Sequence, residues 1–377
     1  MDIERARLIC LSLRGVSEEM PFGEEWIVFR VEGKIFACLH LLRPDRIVLK
    51  CAPEFASALR ARHNHVLPAW HFNKRHWIEA LFDLNARLVE RLVRHAYAAV
   101  LHGLPKKQQL DFFGRGLPTD VFFLHRNVVS TTMDPARELG QRLCGTEGTE
   151  YVLVHSDLQR AGRGQQGTHW ESANGRNLTF TLAVAPDFLP AARWFALSQI
   201  SALAVCRAVA PLLDEADGEL AVKWPNDIYF GNRKLSGMLI ANTVAAGRLR
   251  LSCIGIGINV NQAVWESDAP NPVSIAQVIG REANRFLILE RFVEAFRELY
   301  EALRAGGEDE IRAAYSARLF RRSGMHPFRD RTVQSASESP SFYASIEAVD
   351  PDGTLVLRRA DGTLRRYAFK EVEFVLQ

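Results

Sequence analysis

The sequence predicts an α+β protein in three folded parts, and three observations carry that prediction. Residues 1–110 mix short β-rich runs with helical spacings. Residues 121–322 hold longer apolar strands and two long helical patterns. From about residue 326 the pattern changes to short alternating strands punctuated by Asp-Gly pairs. A chain of 377 residues has room for two or three domains. The division expected is 1–108, a linker over 109–120, a central domain over 121–322 and a C-terminal domain over 323–377.

Each element has its own reason. Residues 3–13 have helical spacing, and Gly15 can end that helix. Residues 26–31 and 34–39 read as two strands joined at Glu32-Gly33, a tight hairpin signal, and 46–50 as a third. Two amphipathic helices follow near 53–62 and 85–101. Pro105, Gly114, Gly116 and Pro118 punctuate 104–120 as a linker. In the central domain 151–155 and 178–182 are strands, and 190–213 is a helix opened by Pro190. Residues 222–230 and 239–241 continue the sheet, and 253–260 is an apolar strand ending in a loop. Leu289, Phe292, Phe296, Leu299 and Leu303 recur every three or four positions and mark a helix over 287–305. In the tail, Tyr343, Ser345 and Glu347 alternate with Phe342, Ala344 and Ile346, while Asp352-Gly353 and Asp361-Gly362 mark hairpin turns. About fifty residues of such strands predict a small β-barrel of the SH3-like kind.

Composition excludes several classes. Apolar content of 47% and charged content of 24% match an ordinary soluble globular protein. No run approaches 18 consecutive apolar residues, so no membrane partner is expected, and the acidic start shows no secretory signal. Six scattered cysteines without a Cys-x-x-Cys pair argue against zinc and disulfides and for a reducing, cytoplasmic location. The net charge of +3 is uneven, at +5 over residues 1–110 and −2 over the rest. That bias reads either as a solvated surface or as a weak nucleic-acid signal.

Two motifs carry chemistry. Gly162-Arg163-Gly164-Gln165-Gln166-Gly167 matches the dinucleotide fingerprint by letter only, since that fingerprint needs a following helix and here a loop and a β-rich run follow. No Gly-Lys-Ser/Thr is present, so it is not a phosphate-binding Walker loop. It reads instead as a structural turn or as a loop whose amides and Arg163 close over an anion. About 60 residues later comes Lys223-Trp224-Pro225-Asn226-Asp227, a lysine beside a rigid Trp-Pro corner, suited to a cation aimed at phosphate. Together the two point to activation of a carboxylate with ATP. Bringing a carboxylate to a phosphate costs about 4 kcal/mol at ~4 Å and an effective dielectric near 20, which a fixed ammonium offsets.

These motifs, with Lys234-Leu235-Ser236-Gly237-Met238-Leu239-Ile240 and Gly255-Ile256-Gly257-Ile258-Asn259, make residues 121–377 resemble a biotin–protein ligase. The resemblance implies a class II synthetase-like mixed β-sheet with helices, with biotin and ATP as substrates and Mg2+ as the metal. It implies formation of biotinyl-5′-AMP, then transfer of biotin to a lysine of a biotin carboxyl carrier protein by a monomer or homodimer. The roles carried over place Ser130, Thr131, Thr132, Gln159, Gly162, Arg163, Gly164, Gln165, Lys223 and Gly237 along biotin. Arg163, Trp170, Asn226, Asp227 and Asn259 fall to ATP or the adenylate, with Lys223 and Arg163 as the catalytic cations. The chain departs from the family at Thr132, where an amide is usual, and at Gln165, where the best-known members carry arginine. The ordinary structural alternatives are a helix cap for the Ser130 trio, core packing for Trp170 and a turn for Asp227. Lipoate–protein ligases share the catalytic fold, but their Arg-Arg-glycine-triplet signature is missing here.

Residues 1–108 resemble the MmcQ/YjbR-like family through Pro21-Phe22-Gly23, Leu49-Lys50-Cys51 and His71-Phe72-Asn73-Lys74-Arg75-His76-Trp77. That implies a frataxin-like α+β sandwich. No helix-turn-helix pattern is visible there, so a biotin-responsive DNA-binding regulator is the alternative and a packing module the main reading. His71 and His76 lack a third metal ligand.

Overall fold

A computed structural model describes residues 1–377 except 147, 163, 165–169, 215, 267–270, 333–340 and 377. It divides into two compact units: Met1–Leu117 with Gly280–Leu287, and Pro118–Ile279 with Ile288–Gln377. Among the described residues the sheets have six, seven and five strands.

The first unit is an antiparallel sheet in the order β1-β2-β3-β4-β6-β5, formed by β1 (Val16–Glu19), β2 (Trp26–Val31), β3 (Lys34–His40), β4 (Arg46–Lys50), β5 (Val66–Pro68) and β6 (Trp77–Leu81). Its helices are α1 (Ile3–Leu11), α2 (Pro53–Arg62), α3 (Ala86–His102) and α4 (Lys106–Gly116). Asp2 caps α1 by accepting from the Arg5 amide at 2.8 Å, and Asn85 caps α3 by accepting from Arg87 at 2.9 Å. Along α3, Leu88, Val89, Leu92, Val93, Ala96, Tyr97, Val100 and Leu101 form one buried stripe against Phe29, Phe36, Leu39 and Leu49. The opposite sheet face is also covered: Val28, Cys38, Val48 and Trp77 pack with Trp26 and Phe72. Burial on both faces is why β3 reads as a continuous apolar run instead of an alternating one.

The expected linker is in fact helical over Lys106–Gly116. Its two glycines and flanking prolines read as breakers, but Phe112 and Phe113 are buried, and that packing outweighs the propensity. β1, β5 and β6 went unpredicted because they are short or polar.

The second unit has the strand order β10-β11-β12-β13-β9-β8-β7. Its strands are β7 (Val121–Val129), β8 (Tyr151–Gln159), β9 (Leu178–Val184), β10 (Leu220–Lys223), β11 (Asp227–Phe230), β12 (Arg233–Ala245) and β13 (Arg248–Ile258). Only the β7–β8 pairing is parallel among these, and α5 (Met133–Leu143) connects the two. α5 packs with Val152, Val154, Ala183, Leu251 and Cys253 on one sheet face. The alternate residues Tyr151 and Phe180 meet Phe296 and Phe292 of α8 (Arg285–Arg304) at 6.3 and 4.9 Å, so α8 lies on the other face. α6 (Phe195–Leu213) is long and apolar enough to cross a membrane by length and composition, yet its side chains are mostly buried inside the unit. α7 (Ile275–Ile279) and α9 (Glu308–Ala317) complete the helices.

Residues 222–230 form a hairpin, not one strand: β10 and β11 pair antiparallel, with Lys223 opposite Asp227 across the turn Trp224-Pro225-Asn226. Pro225 cannot donate to a ladder, so the run must break there. β7 and α5 were unforeseen. His125, Arg126 and Asn127 interrupt the apolar run of an edge strand, and Pro135 sits in the first turn of α5, where a missing amide costs nothing.

The C-terminal sheet, ordered β17-β16-β15-β14-β18, comprises β14 (His326–Asp330), β15 (Ser341–Val349), β16 (Leu355–Arg359), β17 (Leu364–Tyr367) and β18 (Val372–Phe374), all antiparallel. The turns between β15 and β16 and between β16 and β17 fall at Asp352-Gly353 and Asp361-Gly362, as expected, with both glycines in the left-handed region.

Candidate functional site

The site is built on the α5 face of the seven-stranded sheet. Ser130 follows the last residue of β7, and its carbonyl accepts from the Ala161 amide at 2.9 Å, tying the start of α5 to the exit of β8. Thr131 and Thr132 are buried there. Thr131 Oγ1 accepts from the Met133 amide at 3.2 Å. Gln159 Oε1 accepts from the Thr132 amide at 2.8 Å and from Thr132 Oγ1 at 3.2 Å, and Thr132 Oγ1 also meets Thr181 Oγ1 at 2.8 Å. With its oxygen engaged twice, Gln159 has its amide NH2 on the Gly162 side, 3.7 Å from where a Cβ there would stand. Thr132 is the cap residue of α5 but makes no side-chain cap bond.

Beyond Gln159 the chain enters the glycine loop. Gly162 O accepts from the Trp170 amide at 3.0 Å, closing the base of the loop. A Cβ at Gly162 would stand 2.8 Å from the Trp170 carbonyl, so only glycine fits. Gly164 is half-buried. Arg163 and Gln165 lie outside the described residues. The return leg is anchored by Gln262, whose Oε1 accepts from the Ala173 amide at 2.9 Å and Asn177 Nδ2 at 2.7 Å.

The Trp170 indole lies against Gly257 of β13, where a Cβ would come within 2.2 Å of its Cε2 atom. Gly237 of β12 is the direct partner of Gly257 in the ladder. A Cβ at Gly237 would sit 3.2 Å from both Asp227 Oδ1 and Lys234 Nζ, and those two groups form an ion pair at 2.8 Å. Asp227 in turn faces Lys223 across the hairpin. A continuous path therefore runs from Gln159 and Thr132 through Gly162, Trp170, Gly257 and Gly237 to Asp227 and Lys223.

Lys223 is half-buried. Burial, then Lys234 and Arg321, push its pKa down, while Asp227 and Glu373 pull it up; the net direction is downward. Its Nζ lies 5.3 Å from the ring centres of both Tyr229 and Phe374. The hairpin turn is clamped from outside: Trp224 Nε1 donates to Gly353 O at 2.9 Å, and Tyr315 OH donates to Pro225 O at 2.8 Å.

Asn226 is turned inward, donating to Met238 O at 2.8 Å. Asn259 donates to Lys234 O at 3.2 Å, and its buried Oδ1 has no hydrogen-bond partner among the described residues. Trp170 Nε1 is likewise unsatisfied. Such orphaned polar atoms cost about 1–3 kcal/mol each unless something fills them. Among the described residues no group of three His, Cys, Asp or Glu side chains could hold a metal ion. Asp227 is a single carboxylate beside Lys223, and it is paired with Lys234.

Sequence reasoning missed Thr181, Lys234, Gln262 and Phe374. Their roles arise from pairings between strands far apart in the chain, and no local spacing signals them.

Comparison with known proteins follows the same division. Residues 11–99 match the YjbR family model, and residues 127–259 match the Biotin/lipoate A/B protein ligase family. The bifunctional ligase/repressor BirA of Bacillus subtilis (strain 168) is 30% identical over 263 residues, covering 67% of this chain and 75% of that protein. A biotin--[acetyl-CoA-carboxylase] ligase of Paracoccus denitrificans is 31% identical over 224 residues, covering 58% of this chain and 88% of its own. Among solved structures, the biotin protein ligase from Aquifex aeolicus in complex with biotin and ATP superposes with a TM-score of 0.52 at 19% identity, over 68% of this chain and 99% of its own, a likeness of fold. By its sequence match to these relatives, the chain belongs to the biotin–protein ligase family and carries a YjbR unit at its N-terminal end.

Proposed function

We propose that the protein is an ATP-dependent biotin–protein ligase, which forms biotinyl-5′-AMP and then transfers biotin to one lysine of a biotin carboxyl carrier protein. The observation that carries this reading is the unbroken path on one sheet face from the Gln159–Thr132 pair to Lys223. The Gln159 NH2 and the Ser130–Thr132 hydroxyls suit the ureido ring of biotin. Gly237 lies along biotin on the floor, with Gly162 and Gly164 on the loop side, and Arg163 and Gln165 keep the ligand roles that the resemblance implies. Trp170, Asn226, Asp227 and Asn259 serve the nucleotide. The two unsatisfied polar atoms, Trp170 Nε1 and Asn259 Oδ1, fit such a ligand.

Lys223 is the central group. The biotin carboxylate attacks the α-phosphorus, the bond to the bridging oxygen breaks, and pyrophosphate leaves. Lys223 holds the two anions together and meets the charge that develops on the phosphate oxygens. Half-buried, its ammonium interacts more strongly with that charge than a fully exposed one would. Mg2+, when bound, would neutralise charge on the phosphates, and Asp227 is the carboxylate that would hold it. In the second step the acceptor lysine, as a free amine, attacks the acyl carbon and AMP departs.

The same reading proposes a cytoplasmic location, a monomer or homodimer, and domains at 1–108, 121–322 and 323–377. It takes the first as a frataxin-like sandwich, the second as class II synthetase-like and the third as an SH3-like barrel. Lipoate ligation is not favoured, because the curated relatives are biotin ligases.

Radiolabelled biotin offered with ATP and a purified carboxyl-carrier domain tests the proposal, with a lipoyl domain as control. Label is expected on the biotin carrier alone. Lys223→Ala is expected to keep biotin binding and to lose pyrophosphate release. Label on the lipoyl domain, or wild-type pyrophosphate release in Lys223→Ala, would refute the assignment.

A further inference from the structure

Lys223 sits on β10, but what surrounds its ammonium comes largely from the far end of the chain. Tyr229 supplies one ring from β11 of the same hairpin, and Phe374 supplies the other from β18. Both rings are fixed. Phe374 is buried, pairs in the ladder with Phe328, and meets its ring edge to face at 4.8 Å. Tyr229 rests on Phe320 at 5.4 Å, and Phe320 also meets Phe374 at 6.2 Å. The segment bearing Phe320 is stitched to the lysine strand itself. The Val222 amide donates to Arg318 O at 2.7 Å, and the Phe320 amide donates to Val222 O at 2.8 Å. The residue after Phe374 is held as well, since Arg321 Nη1 donates to Val375 O at 2.9 Å.

The charged groups around the ammonium explain why rings matter there. Asp227 and Glu373 attract it; Lys234 and Arg321 repel it. Asp227 is already engaged by Lys234 at 2.8 Å. A carboxylate bound to Lys223 would compete with the incoming anions, whereas a ring face attracts the ammonium through its quadrupole and leaves its positive charge uncompensated. Two faces at equal distance hold the ammonium in position without neutralising it.

We propose that Phe374 is a positioning residue for adenylate formation: with Tyr229 it holds the Lys223 ammonium between two ring faces, so the C-terminal sheet completes the site that activates the carboxylate. This rests on the biotin-ligase reading above. Phe374 acts through Lys223 and touches neither substrate.

The test uses the full chain with Phe374→Leu, Phe374→Trp and a series of fluorinated phenylalanines at 374. Fluorination keeps the ring's shape and weakens its negative face. Four quantities are read: kcat and KM for biotin in adenylate formation, transfer from supplied biotinyl-5′-AMP to the carrier, and Tm. Phe374→Leu is expected to lower kcat for adenylation about tenfold, with KM, transfer and Tm little changed, and Phe374→Trp to restore most of it. The rate should fall stepwise with fluorination. Unchanged adenylation in Phe374→Leu, no response to fluorination, or equal loss of both half-reactions together with Tm would overturn the proposal. A wild-type chain that forms no adenylate would overturn the functional reading and this proposal with it, so the two failures are distinguishable.

Discussion

The Trp170 indole occupies the place where a side chain at position 257 would stand, 2.2 Å from the Cβ that any other residue would bring. Gly257→Ala must therefore displace the indole or strain the β12–β13 ladder, an overpacking cost of about 1–3 kcal/mol. The expected outcome is a lower urea midpoint and faster release of biotinyl-5′-AMP. In a double-mutant cycle, Trp170→Ala should remove most of the Gly257→Ala penalty, because the two changes share one contact. Additive losses would count against this packing. Lys223 and Trp170 stand out in the sequence because they sit in runs whose residue types have few other uses, whereas Gly257 carries no visible role there. Lys234, the ion-pair partner of Asp227, lay inside a quoted motif without a visible role. Its role depends on β11 and β12 being neighbours, which the order of residues does not state.

The β10–β11 hairpin shows the same limit among the elements. Its strands were foreseen as one run, yet the turn between them aims Lys223 and is held by groups from α9 and the C-terminal sheet. Tyr315 is wholly buried, and its hydroxyl satisfies Pro225 O. Tyr315→Phe leaves that carbonyl without its partner, a loss of about 1–3 kcal/mol. Denaturant midpoints should fall accordingly. Adenylation should fall further than stability accounts for, because the lysine turn loosens; a rate unchanged at temperatures where the variant is fully folded would separate the clamp from catalysis. The long periodic helices α3 and α8 and the Asp-Gly hairpins were readable because their signals are local. α4, α5 and β7 were not, since buried packing there overrides proline, glycine and polar residues.

At the scale of the whole molecule, the first unit is not a contiguous stretch of chain: Gly280–Leu287 belongs to it. Phe286 is buried against Phe113 at 5.5 Å, Arg281 lies over the Phe55 ring at 4.7 Å, and His102 Nε2 bonds Glu282 at 2.8 Å. Phe286→Ala should therefore destabilise the YjbR unit by about 3–5 kcal/mol, although it lies outside that family's matched residues. Calorimetry of the full chain should show the transition of the first unit shifted downward; an unmoved transition would refute this account. The sequence alone determined the α+β class, the run of strands and helices with strong periodicity, and the family, because those depend on residue type and short-range spacing. Tertiary structure decided what shields Lys223, what lies on Gly257 and which late segment completes the first core. Those are contacts between residues distant in sequence, formed when separate strands share a sheet, and no local pattern encodes them.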